Sequence, residues 1–280
     1  MTAPAATIEF RRILVALDAS RPSLAALEAA ANLAARLHAD LAGLFIEDVD
    51  LINLAALPFS MDLPALSRTG RSLDPDLMER EIRCKAAVAR RSMARAAEAR
   101  HLQWTFRVVR GRVDAELLAA AEGTDLIAVG KSVQALSREI KMGRTARAVA
   151  QQTHCSILFV APGDIARDRS IAALYDGSET TARSLAVAAQ LAAREGGKLL
   201  VLVLAAAGAE QVARERQAAE LVRNLGVAAA IRPAGDLLRT LKAEGVGLVV
   251  LPSALVAGAD EALLGALVEQ SDSSILLIRC

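Results

Sequence analysis

Aromatic side chains are nearly missing from this chain: phenylalanine, tyrosine and tryptophan together make up 2% of its 280 residues. That argues against an aromatic-rich β-sandwich. A hydrophobic content of 54%, mostly alanine, leucine and valine, points instead to helices packed on buried parallel strands. An excess of one charge is lacking too. With 33 basic against 32 acidic side chains, a net charge of +1, there is no global field to gather nucleic acid, and none is expected as a partner. No uninterrupted apolar run of about 18 residues occurs, and MTAPAATIEFRR has no apolar secretory core. A soluble cytoplasmic protein is expected, with no membrane contact.

Cysteine is scarce and scattered, at positions 84, 155 and 280, which excludes a disulfide framework or a zinc site and suits free thiols in a reducing compartment. His38, His101 and His154 lie far apart with no Ser or Cys placed beside them, and read as capping or packing residues. There is no G-x-S-x-G elbow, no Walker A loop and no H-E-x-x-H pair, so no catalytic residue and no metal site is expected. Trp104 and Tyr175 read as core or edge packing.

What the chain does contain is itself, twice. The run ILVALDAS, Ile13 to Ser20, returns as IAALYDGS, Ile171 to Ser178, each followed by an Ala-rich amphipathic helix (23–37 and 180–195). ADLAGLFI and GKLLVLVL follow at equal spacing, and Asp114, Glu122, Gly123 and Leu126 match Asp236, Glu244, Gly245 and Leu248 at one constant offset. The closing strands match as SILFVA and SILLIR. Alternating strands and helices predict two repeated doubly wound α/β domains, each a five-stranded parallel sheet flanked by helices. The expected division is 1–163 and 164–280, at the Pro-, Gly- and charge-rich APGDIARDR.

The first copy carries an inserted segment, 49–82. Asp74-Pro75 predicts an N-cap and first-turn proline opening a long basic helix to about Arg100. Leu54, Leu57, Phe59, Met61 and Leu63 would form a lid, a partner surface, or a loop tucked onto its own domain.

The stretch from Asp125 to Ala161 reads as a strand ending at Gly130, a basic loop, a helix opening near Gly143, and a strand from Ser156. A glycine turn beside a helix N-terminus suits an anion such as phosphate. Lys131, Arg138, Lys141 and Arg144 crowd the loop, either to grip that anion or as a solvated face. In the second copy Pro252 replaces Gly130, losing a donor and the room for close approach, and no phosphate site is expected there.

The tandem arrangement, the ILVALDAS strand and the VG…MGRTARAVAQQTHCSILFV ending resemble the universal stress protein family in its two-domain form, over nearly the whole chain. The resemblance implies a strand order 3-2-1-4-5 in each domain. It also implies a nucleotide motif of Gly, two residues, Gly, nine residues, Gly, then Ser or Thr. Gly130 and Gly143 match its first and last glycines, while Val133 holds the middle glycine's place and Arg144 that of Ser or Thr, with Thr145 next. Asp18 and Ile46 match positions that meet the base. The candidate nucleotide site is therefore Asp18, Ser20, Ile46, Gly130, Lys131, Ser132, Gly143, Arg144 and Thr145, with ATP or another adenine nucleotide as ligand and no cofactor needed for folding.

Two functions follow. One is a stress-response protein whose altered first-domain site binds an adenine nucleotide or other phosphate ligand to regulate partners or conformation, with at most slow ATP hydrolysis. The other is an interaction or dimerisation scaffold that binds none. In the order 3-2-1-4-5 the last strand of each copy is a bare apolar edge, so the copies are expected to join these edges about a pseudo-two-fold axis, with homo-oligomers forming through the inserted segment.

Overall fold

The computed structural model describes residues 9–55, 61–62, 71–72, 74–133, 140–141, 152–162, 170–195, 197–204, 208–256 and 261–279. The first copy supplies β1 (Arg12–Leu17), β2 (Asp40–Asp48), β3 (Trp104–Gly111), β4 (Leu126–Gly130) and β5 (Ser156–Val160). The second supplies β6 (Ser170–Tyr175), β7 (Leu199–Val203), β8 (Ala229–Pro233), β9 (Val246–Pro252) and β10 (Ser274–Ile278). The helices are α1 (Arg21–Leu37), α2 (Val49–Ala55), α3 (Pro75–Glu98), α4 (Val113–Ala121), α5 (Glu179–Glu195), α6 (Ala209–Asn224), α7 (Leu237–Ala243) and α8 (Glu261–Gln270).

All ten strands form one sheet in the order β8-β7-β6-β9-β10-β5-β4-β1-β2-β3, so each copy has the arrangement 3-2-1-4-5. Neighbours within a copy run parallel, and the copies meet where β5 and β10 pair antiparallel, with Leu276 opposite Leu158. The apolar edges are thereby joined inside one chain, which removes the exposed backbone each would otherwise present. Two serines sew this seam reciprocally. Ser274 Oγ accepts from the Ala161 N–H at 3.1 Å, and Ser156 Oγ accepts from the Arg279 N–H at 3.1 Å.

Helices cover both faces, which is why β4, β5, β7 and β10 are apolar runs without polar alternation. On one face Ile13, Val15 and Leu17 pack with Leu27 of α1, Met93 of α3, Leu185 of α5 and Val222 of α6. On the other, Leu14, Ile127 and Phe159 pack with Leu117 of α4, Leu241 of α7 and Leu267 of α8. Each core runs through both copies.

The helix ends follow their sequence signals. Ser20 caps α1, its Oγ accepting from the Ser23 N–H, and His38 closes the helix at φ 57° with its N–H donated to Ala34 O. Asp74 caps α3, accepting from the N–H groups of Asp76 and Leu77. One local feature differs from expectation. The stretch read as loop after Gly130 contains an antiparallel bridge of Ser132–Val133 with Ile140–Lys141, a pairing too short for periodicity to reveal. Of the apolar residues singled out in the insertion, Leu54 lies on α2 and is exposed, Met61 bridges Ser72, and the other three fall outside the described residues.

Candidate functional site

In the order 3-2-1-4-5 the chain reverses its winding between β1 and β4, and ligands of such sheets bind outside the carboxyl ends of strands at that switch point. Register brings three predicted residues to this level. Leu17 pairs with Phe45, which sets Asp18 and Ile46 side by side one step further on. Val15 pairs with Ala128, so Gly130 ends β4 beside Leu17.

Asp18 opens a tight polar turn. Its Oδ1 accepts from the Ser20 N–H at 2.9 Å, and its own N–H donates to Ser23 Oγ at 3.3 Å. Ser20 Oγ in turn accepts from the Ser23 N–H at 3.3 Å while Ser23 Oγ donates to Ser20 O at 3.1 Å. Asp18 is exposed to solvent yet crowded on its protein side. That partial burial pushes its pKa up, but hydrogen bonds from the Ser20 and Ser23 side chains and the Ser20 N–H outweigh it, so the carboxyl stays below its ordinary value. Between them Ala19 stands at φ 62°, a left-handed conformation costly for a residue with a Cβ.

Gly130 is required by packing. A Cβ there would come within 2.3 Å of Pro22 O, so the glycine lets the first turn of α1 lie directly on the end of β4. The space beside its Cα is thus filled by protein.

Lys131 is the largest departure from the sequence reading, which placed it around the phosphates. Its side chain is buried, 2% exposed, and Nζ donates to the carbonyls of Ser273 (2.7 Å), Ser271 (3.3 Å) and Leu267 (3.4 Å) at the end of α8 in the other copy. Burial lowers its pKa to about 8, with the attraction of Asp272 opposing the shift, and it remains a cation at neutral pH. The ammonium therefore answers a helix C-terminus rather than an anion. A loop position between Gly130 and Ser132 gave no hint of this, because its acceptors lie far away in sequence.

Ser132 lies in the short bridge with Lys141, its side chain outside the described set. Gly143, Arg144 and Thr145, with Arg138, fall outside the described residues. Ile46 is half-buried and packs on the α4 side. The structure thus brings together Asp18, Ser20, Ile46 and Gly130, and sends Lys131 elsewhere.

Three contributors went unread. Ser23 holds the turn, and the recurring hydroxyl at Thr181 was its signal; Pro22 explains Gly130; and Ala19 has a glycine, Gly177, as its counterpart. No grouping of His, Cys, Asp and Glu suited to a metal occurs among the described residues, and no helix among them is long and apolar enough to cross a membrane.

The fold and its switch-point turn define a tandem, doubly wound α/β protein. Residues 9–161 match the model of the universal stress protein family, and the chain belongs to that family. Among solved structures it is similar to a universal stress protein from Archaeoglobus fulgidus DSM 4304, at 16% identity over 97% of this chain and 99% of that one, TM-score 0.71. It is also similar to a putative universal stress protein from Pseudomonas aeruginosa UCBPP-PA14, at 16% identity over 96% and 93% of the two chains, TM-score 0.61. At these identities the likeness concerns the fold across both copies. Comparison with curated protein sequences gives no match.

Proposed function

We propose that this member of the family is a stress-response protein that binds an adenine nucleotide, or another phosphate ligand, at the switch point of residues 1–163, with residues 164–280 as a degenerate partner domain. The observation that carries this reading is the Asp18 turn: an ionised carboxylate held at the carboxyl end of β1, beside Ile46 and Gly130. A carboxylate only accepts hydrogen bonds, so its ligand partner is a donor, such as the amino group of adenine or a ribose hydroxyl. Ser20 lies within the same turn, and the half-buried Ile46 offers the base an apolar wall. The phosphate end falls to Ser132, Gly143, Arg144 and Thr145 in this reading, with Lys131 withdrawn from it.

Calorimetric titration of the purified chain with ATP, ADP and AMP tests the proposal, alongside absorbance at 260 nm for co-purified nucleotide. Binding of at least one, weakened about tenfold or more in Asp18→Asn, is the expected result. No heat with any of the three at millimolar ligand sinks it.

A second reading, a scaffold that binds no nucleotide and is cytoplasmic and oligomeric, is favoured by a specific observation. The cation next to Gly130 is sealed between the copies, and Pro22 fills the space beside that glycine. Under it the titrations stay silent while the chain still assembles, which light scattering against the 29.4 kDa monomer reports.

A further inference from the structure

We propose that Lys131 is a latch between the two copies, through which the turn ending β4 and the C-terminal end of α8 open and close as a single unit. The inference goes beyond the proposed function and holds whether or not a nucleotide binds.

Both ends of the side chain are anchored in rigid structure. On its backbone side, the Lys131 N–H donates to Val160 O at 2.8 Å, and the neighbouring Gly130 is wedged on the first turn of α1. On its far side, the ammonium meets three carbonyls, one for each of its protons. Those acceptors belong to the last turn of α8 and the segment after it, where helix carbonyls lack intrahelical partners.

The receiving segment is itself tied down. Ser271 Oγ donates to Leu267 O, and Ser273 Oγ donates to Val246 O at 2.7 Å, at the start of β9. Ser271 and Ser273 are both buried. If the β4 turn moved alone, it would strip a buried cation of its acceptors and take the ammonium from three carbonyls, of which Leu267 O keeps only Ser271 Oγ among its side-chain donors. Movement of the α8 end alone does the same. Either loss is heavily penalised away from water, whereas opening both exposes all the groups to solvent together. This asymmetry makes the two regions one cooperative opening.

The device is one-sided. Where the second copy has the matching position, Ser253 follows Pro252, and a serine has neither the reach nor the charge of a lysine. The turn ending β4 in the front copy is therefore the one linked to the rear copy's final helix.

Native-state hydrogen exchange on the full chain at low urea tests the latch. The expected wild-type result is that amides at 130–131 and at 271–275 open with the same free energy and the same urea slope. In Lys131→Met, exchange at 271–275 is expected to rise at least about tenfold while amides of β7 stay within about twofold, and Lys131→Arg, which keeps cationic donors, recovers part of the protection. Unchanged exchange at 271–275 in Lys131→Met overturns the proposal, as does an equal rise in β7, which reports only global loss of stability. Should Lys131→Met not fold, the wild-type urea slopes decide: two different slopes mean two separate openings and no latch.

Discussion

The two copies build the same turn from different residues, and the differences separate what the fold needs from what a ligand would need. After β1 the turn is Asp18-Ala19-Ser20 with Ser23; after β6 it is Asp176-Gly177-Ser178 with Thr181. Asp176 Oδ1 accepts from the Ser178 N–H at 2.8 Å and from Thr181 Oγ1 at 2.8 Å, and the Asp176 N–H donates to Thr181 Oγ1 at 3.4 Å. Every link of the front turn has its counterpart. A copy whose strand-end glycine has become Pro252 still keeps this network, so its first task is to turn the chain from strand to helix. In the rear copy Arg214 also lies over the turn: its guanidinium donates to Leu204 O, its charge helps hold the Asp176 carboxyl low, and it borders Gly177.

The strand-end positions diverge further. Gly130 accommodates α1 and Lys131 crosses the seam, while Pro252 ends β9 by pairing with Ile278 and leads into a short helical turn at Ser253–Val256. The copies have thus specialised at the switch point and stayed alike at the seam.

That comparison is most easily broken at Gly130. Gly130→Ala drives a Cβ into the Pro22 backbone and is expected to cost about 3 kcal/mol in urea unfolding. A cost below about 0.5 kcal/mol would show that α1 yields freely and that the glycine serves something other than packing.

The next largest effect concerns pH and Lys131. Its pKa is lower in the fold than in the unfolded chain, so above about pH 8 the unfolded state holds more protons and raising the pH favours the fold. Relative to Lys131→Met, wild-type protein is expected to gain roughly 2 kcal/mol between about pH 7.5 and 9.5, read from paired denaturation curves. A gap independent of pH would place the amine in a wetter setting than the fold gives it.

The seam serines offer a symmetric test. Ser156→Ala and Ser274→Ala each leave one N–H of the opposite strand's exit without its acceptor, and each should cost about 1–2 kcal/mol. Unequal costs would mean that the pseudo-two-fold axis is energetically lopsided.

The smallest effect sharpens the turn itself. Ala19→Gly relieves a left-handed alanine and is expected to stabilise by about 0.5–1 kcal/mol, while Gly177→Ala, at φ 88°, should destabilise by a similar amount. Opposite signs in the two copies are the prediction, measured as melting-temperature shifts.

Much of the architecture was readable before any coordinates. The internal repeat fixed the strand count, because buried parallel strands must be apolar throughout and their helices must repeat every 3.6 residues, while the strand order came from the family resemblance. Asp74-Pro75 announced α3 correctly, since capping is local chemistry. The site was legible only in part. Asp18 and Ile46 lie together near the ends of β1 and β2, as their strands implied, but the meaning of Gly130 depended on Pro22, more than a hundred residues away, and that of Lys131 on α8, further still.

By itself the sequence determined the duplicated α/β scaffold, the helix caps and the apolar edge strands, all of which follow from periodicity and from bonds between near neighbours. Only the tertiary structure decided that serine hydroxyls stitch the joined edges and that a cation beside the end of β4 is spent on the opposite copy's helix. Such choices depend on which distant carbonyls fold into reach of an ammonium, and no local pattern records that distance.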